Sequence, residues 1–180
     1  MIPNNRLARK HSLLAGFTMA ELIIVILIAG VMVTLAIPSF TSFMQNNRAL
    51  TISSDFVNAL SYARSEAVKR GVAVSICSAS NSAYTACGGT GSWTNGWIIF
   101  VDAAAGGIVG GNTILRTHDA LQTSSTFVTT QAFVNYAPSG FINSGAGSFT
   151  LSAPGCTGTN GRLVTLLSSG RVDVATVTCP

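Results

Sequence analysis

The sequence predicts an α+β protein: a long N-terminal helix, apolar in its first half and amphipathic in its second, packed on a C-terminal antiparallel β-sandwich-like domain. Three observations predict it. Phe17 to Ile37 is an apolar run broken by a single charge, Glu21. After Pro38, apolar residues recur at three and four positions, as Ala49, Ile52, Phe56, Leu60, Ala63 and Ala67, the spacing of one buried helix face. Beyond Gly71 the chain breaks into short β-prone runs separated by glycine clusters.

A chain of 180 residues, 48% hydrophobic and only 9% charged, holds one modest domain plus a membrane segment. The formal charge of +4 owes much to Arg6, Arg9 and Lys10, which stand ahead of the apolar run. From Ser39 onward seven basic residues face five acidic ones, too small a balance for a strong field over the whole surface.

The apolar run comes first. As a helix it rises about 1.5 Å per residue and matches a hydrocarbon core of roughly 30 Å. The basic stretch before it, NNRLARKHSLLAG, stays in the cytoplasm by the positive-inside rule, which places the rest of the chain across the membrane. An ordinary secretory signal has its small residues after the apolar core. Here Gly16 precedes it, so a cut there removes the basic leader and keeps the helix.

The amphipathic continuation carries Arg48, Ser53, Asn58, Arg64 and Lys69 between its apolar positions and ends around Arg70 and Gly71, basic residues followed by a glycine stop. Pro38 lacks a donor N–H and crowds the preceding turn, so a bend is expected there. Straight, the helix from Phe17 to Arg70 would be on the order of 80 Å long, and only its second half is expected to pack on its own domain.

The remaining residues, 71–180, read as about seven strands: GVAVSIC, GWIIFVD, TILRTHD, QAFVNYAP, GSFTLSAP, RLVTLLSSG and RVDVATVTC. The glycines between them, among them Asn95-Gly96, Gly106-Gly107, Gly110-Gly111 and Asn160-Gly161, lack the GxxxxGK[ST] form and open no predicted helix, so they read as turns. Trp93 and Trp97 flank Asn95-Gly96 and read as packing for a hairpin. Cys77, Cys87, Cys156 and Cys179 all follow the apolar run, as an oxidising compartment favours. Four cysteines allow three pairings. Cys77 and Cys87 bracket the polar loop SASNSAYTA, and Cys156 and Cys179 would tie the final strand to the loop after Ala153, so local pairing, Cys77–Cys87 and Cys156–Cys179, is the expectation. With no CxxC and only His11 and His118 as histidines, no metal or other cofactor is implied.

Gly16, Phe17, Thr18, Glu21, the apolar run and Pro38 together resemble the type IV prepilin signal. The resemblance implies a leader, 1–16, removed after Gly16 by prepilin peptidase, which also N-methylates Phe17. It implies a transmembrane and assembly helix, 17–37, an amphipathic helix, 38–70, bent at Pro38, and a periplasmic β-rich domain, 71–180. A carboxylate at membrane depth costs about 2.5–3.5 kcal/mol on insertion scales. Cleavage creates a cationic partner, and the resemblance gives Glu21 the role of attracting the N-terminal amine of a neighbouring subunit. The plainer alternative is a carboxylate that reaches the headgroups from the first helical turn, where the helix dipole favours an anion.

YARSEAVKRGVAVSIC, GWIIFVD and LRTHDAL further resemble the GspH/FimT branch of minor pilins and pseudopilins, and the cysteines with SSGRVDVATVTCP are FimU-like. This implies a scarce subunit that primes type IV pilus assembly or sits near the tip, and a role in twitching motility. The implied partners are other minor pilins, the major pilin, the inner-membrane assembly platform and, before assembly, inner-membrane lipid. The chain would sit single-pass in a bacterial inner membrane and then in the fibre. A GspH-like pseudopilin of a type II secretion system shares the same leader and remains an alternative.

FimT-like pilins that bind DNA carry Gly-Arg-x-Arg near the C-terminus, and here the stretch is Gly170, Arg171, Val172, Asp173. An acid in place of the second arginine repels phosphate. Arg162 is the remaining candidate for a second charge beside Arg171, so DNA is an unlikely partner. For catalysis, His118 beside Asp119 suggests a pair, but neighbours on a strand point to opposite faces. Asp102 reads as a turn residue, since a calcium site would want further carboxylates nearby. No enzymatic activity is expected.

Overall fold

The computed structural model describes residues 16–180, excepting the side chains at 35, 36, 38 and 39. Residues 1–15, with Arg6, Arg9, Lys10 and His11 of the expected leader, lie outside the described residues, and so does the side chain of Pro38, where the bend is expected. One helix, α1, runs Met19–Arg70, and the chain divides into two compact units, Met1–Ser39 and Phe40–Pro180.

In the first unit the helix exposes apolar side chains on all sides, from Leu22 and Ile23 to Met32 and Val33. Among the described residues no helix is long and apolar enough to cross a membrane. The unbroken stretch with described side chains, Met19–Thr34, is shorter than the ~20 residues a span needs, although the apolar run of the sequence goes on to Ile37.

In the second unit α1 behaves as its spacing predicts. Ala49, Phe56, Leu60, Ala63 and Ala67 are fully buried, and Ile52 packs at the edge of the same core. The helix stops at Arg70 because Gly71 takes a left-handed φ of 65° and its N–H reaches the Ala67 carbonyl at 3.0 Å, a glycine C-cap.

Two antiparallel sheets share a core with this helix. One has the order β3-β2-β1-β5-β6, built from β1 (Val74–Ser78), β2 (Trp97–Val101), β3 (Ile114–His118), β5 (Phe133–Tyr136) and β6 (Ile142–Ser144). The other has the order β4-β7-β8-β9, from β4 (Thr126–Thr129), β7 (Gly147–Ser152), β8 (Gly161–Leu166) and β9 (Val172–Val177). Among the described residues nine strands form where seven are expected. The two without a sequence signal are β4, four residues in the Ser/Thr-rich stretch SSTFVTT, and β6, three residues of which only Ile142 is apolar.

Phe56 stands at the centre. Its ring lies 5.0 Å from those of Phe127 and Phe149 and 5.6 Å from those of Trp93 and Trp97, mostly edge to face, the geometry ring quadrupoles favour. The central strands β1 and β2 of the five-stranded sheet are buried on both faces. Val74, Ile76, Trp97 and Ile99 face this core, while Cys77, Ile98 and Phe100 face a smaller one closed by Ala79 and Val109.

The Asn95-Gly96 hairpin expected from the sequence does not form. Trp93–Asn95 is a 3-10 turn, and the strand that pairs with β2 from before it, β1, ends at Ser78, so no strand runs into Asn95. Both tryptophans are nonetheless buried. Gly96 is required on two grounds: its φ is 91°, and a Cβ there would fall 2.0 Å from the His118 carbonyl oxygen.

Candidate functional site

At the N-terminal junction, Gly16 and Phe17 precede α1 and are exposed, Phe17 by 80%. Thr18 caps the helix, its Oγ1 accepting the Glu21 N–H at 3.2 Å and its carbonyl accepting the Leu22 N–H at 3.1 Å. Thr18 and Glu21 thus have the spacing of a capping box, with the acid at the third helical position where the dipole favours it. Met19–Glu21 project no polar group other than this exposed carboxylate.

Two disulfides staple the β-domain: Cys77 to Cys87 and Cys156 to Cys179. The second closes a loop that holds the helix just inside the second unit. There Gln45 Nε2 donates to the Gly155 carbonyl, Thr157 Oγ1 donates to Gln45 Oε1 at 3.0 Å, and Asn160 Nδ2 donates to Ser42 Oγ at 3.2 Å.

The C-terminal arginines do not form a phosphate site. Arg171 Nη2 lies 2.8 Å from Asp173 Oδ1, an exposed ion pair that neutralises it. Arg162 is buried on β8, where its guanidinium donates to its neighbour's carbonyl, Gly161 O, at 3.0 Å and to Asn46 Oδ1 of α1. Arg162 is therefore not available beside Arg171.

His118 and Asp119 have separate employments. The His118 ring stacks on Trp97 at 3.9 Å, Nδ1 donates to the Asp119 carbonyl at 2.7 Å, and Nε2 faces Asp55 at 3.8 Å. The Asp119 carboxylate accepts the Tyr84 hydroxyl at 2.7 Å, which holds that phenol above its usual pKa, with burial adding to the effect. All four cysteines are bridged, so no thiol stands ready as a nucleophile. Among the described residues no cluster of three potential metal ligands exists.

Asp102 does more than turn the chain. It is 1% exposed, and its carboxylate accepts the Ser75 hydroxyl at 2.7 Å and the Gly107 and Gly106 N–H groups at 2.8 and 3.3 Å. Asn135 Nδ2 donates to Ser75 Oγ at 2.8 Å, and Asn143 Nδ2 donates to Asn135 Oδ1 at 2.9 Å. The donors all point toward the carboxylate across four adjacent strands, β6, β5, β1 and the end of β2. Sequence reasoning missed this relay, because its members are ordinary polar residues whose bonded partners lie up to 60 positions apart.

A groove that the sequence also hides runs between the last turns of α1 and the β8–β9 turn. Its volume is about 720 Å³, and Val57, Val68 and Val172 line it together with Arg64, Lys69 and Arg171. Tyr136 lines it from β5 and is 1% exposed. Burial pushes this phenol above its usual pKa, while the Arg64 cation pulls the other way. Arg64 donates to the Gly170 and Ser169 carbonyls at 3.1 and 3.2 Å.

Residues 53–170 match a family described as type II transport protein GspH; the match begins within α1, after the apolar run. Among solved structures, two crystal forms of the type IV minor pilin FimU of Pseudomonas aeruginosa, strain PAO1, share the fold. The P21 form is 21% identical with a TM-score of 0.51, over 72% of this chain and 89% of that chain. The P65 form is 23% identical with a TM-score of 0.51, over 70% and 91% respectively. No curated protein matches the chain.

Proposed function

The chain belongs to the GspH family and is a pilin-like subunit of the GspH/FimU kind, and from that premise we propose that it is a scarce type IV pilin that primes fibre assembly or sits near the fibre tip. The observation that carries this reading is the pairing of a GspH-type β-domain with a helix whose first unit exposes apolar side chains all round. Such a surface needs lipid or other apolar helices against it.

The chain inserts through 17–37 with its leader in the cytoplasm, is cut after Gly16 by prepilin peptidase and is N-methylated at Phe17. It then waits in the inner membrane with its β-domain in the periplasm. Moving into the fibre exchanges lipid for neighbouring pilin helices, so the apolar surface stays buried throughout, and Pro38 supplies a bend. Glu21 sets register by attracting the amine of another subunit.

Mass spectrometry of the membrane-extracted chain tests processing: the mature form begins with N-methylated Phe17, and Gly16→Val retains the leader. The capping geometry at Thr18 makes the register test sharper, because glutamine keeps the capping-box chemistry and loses only the charge. Glu21→Gln is processed normally and is depleted from sheared fibres. Wild-type incorporation of that variant would leave Glu21 a helix cap and nothing more.

The family description favours a second reading, a pseudopilin of a type II secretion system. Deleting the gene separates the two: loss of twitching motility supports the pilus, and loss of exoprotein secretion supports the pseudopilus.

A further inference from the structure

The groove between α1 and the β8–β9 turn has a lining that the described residues satisfy only in part. Its floor is apolar, from Val57, Val68 and Val172. Every charged residue lining it is a cation, namely Arg64, Lys69 and Arg171. Asp173 neutralises Arg171, and Glu66 lies 3.6 Å from Lys69. Arg64 has no carboxylate partner among the described residues, and its two bonds to backbone carbonyls leave three of the five guanidinium N–H donors free. Tyr136, whose ring is packed in the core, lines the same groove, and its hydroxyl, which has no hydrogen-bond partner among the described residues, is not one of the fully buried unpartnered atoms and so opens onto the groove.

We propose that this groove docks a segment of another protein that presents one carboxylate between apolar side chains, the carboxylate accepting from Arg64 and the Tyr136 hydroxyl while its neighbours cover the valine floor. Donors without an acceptor select an anion, and the apolar floor selects side chains rather than a sugar-phosphate backbone. Asp173, paired with the lining residue Arg171, opposes the dense charge of nucleic acid, whereas a single carboxylate can be accommodated at Arg64. The proposal does not depend on whether the chain serves a pilus or a secretion fibre.

The test uses the full chain in detergent and a fluorescein-labelled short peptide with one central glutamate among valines and leucines, its glutamine counterpart, and duplex DNA as competitor, read by fluorescence polarisation at physiological salt. The glutamate peptide binds about tenfold tighter than the glutamine peptide, and Arg64→Gln and Tyr136→Phe each remove about that factor. Tyr136→Phe melts within error of the wild type, because its hydroxyl bonds to nothing in the chain, so its loss of binding is not a loss of fold. Equal affinity for the two peptides, no binding of either, or unaltered binding by Tyr136→Phe would overturn the proposal. Arg64-dependent binding of the DNA in preference to the peptide would also overturn it, by naming a different occupant.

Discussion

Replacing Asp102 probes the most heavily used side chain of the β-domain. Its carboxylate accepts three hydrogen bonds, two of them shorter than 3 Å, from Ser75 and Gly107, in a site that is 1% exposed. Bonds to an ionised acceptor contribute about 1.5–3 kcal/mol each, and a buried donor left unpaired costs about 1–3 kcal/mol. Asp102→Asn keeps the volume but turns an amide N–H₂ toward a donor, a loss of about 1–3 kcal/mol. Asp102→Ala leaves the Ser75 hydroxyl and the Gly107 N–H without partners, a loss of about 3–5 kcal/mol that lowers Tm by about 10 °C in a domain of this size. Thermal unfolding of the oxidised protein gives the magnitude. Amide exchange locates it, since Gly106 and Gly107 should lose protection first. An Asp102→Asn protein that melts with the wild type and keeps both amides protected would refute the anchoring role.

Three further outcomes are expected. Serines at both Cys156 and Cys179 release a bridge spanning 23 positions, which lowers stability by about 3 kcal/mol, measurable as a reduced Tm with Cys77–Cys87 still formed. Glu66 is held below the usual glutamate pKa by the hydrogen bond from Arg70, against an opposing effect of burial and with help from Lys69. That stabilisation is present above the unfolded value and disappears as the pH falls through the lowered folded value. Amide exchange in the last helical turn should therefore rise on acidification in the wild type, and less so in Glu66→Gln. Gly96→Ala forces a Cβ against the His118 carbonyl at a left-handed φ and should cost about 2 kcal/mol or more, seen as a lower Tm.

The helix was legible because its signals are local. A repeat of three and four positions from Ala49 to Ala67, basic residues in the last turn and a glycine stop all lie within a few turns of one another, and each has its structural counterpart in burial and capping. The seven strands seen in sequence lie in runs rich in apolar and β-branched residues. β4 and β6 do not stand out, because β4 sits in the Ser/Thr-rich stretch SSTFVTT and β6 carries a single apolar residue, Ile142. The Asp102 relay and the Arg64–Tyr136 groove were illegible for a different reason. Their members come from separate elements, and only the strand order β2-β1-β5-β6 or the approach of α1 to the β8–β9 turn brings them together. Arg162 shows the converse: its charge suggested a surface role, but the β8 register turns it inward onto Asn46.

The loop closed by Cys156–Cys179 has a mechanical meaning. Chains in a fibre bear tension, and a pull on the Phe40 end of the second unit loads the bonds from Ser42, Gln45 and Asn46 to Asn160, Gly155, Thr157 and Arg162. Without a covalent tie, the loop between β7 and β8 could lift away from the end of β9, so that the bonds would fail one after another at low force. The bridge fixes the loop to the end of β9 and takes away that slack. The bonds share the load and must break together, so this corner of the domain is a seam loaded in shear, and tension runs from the helix into the sheet through a closed covalent ring.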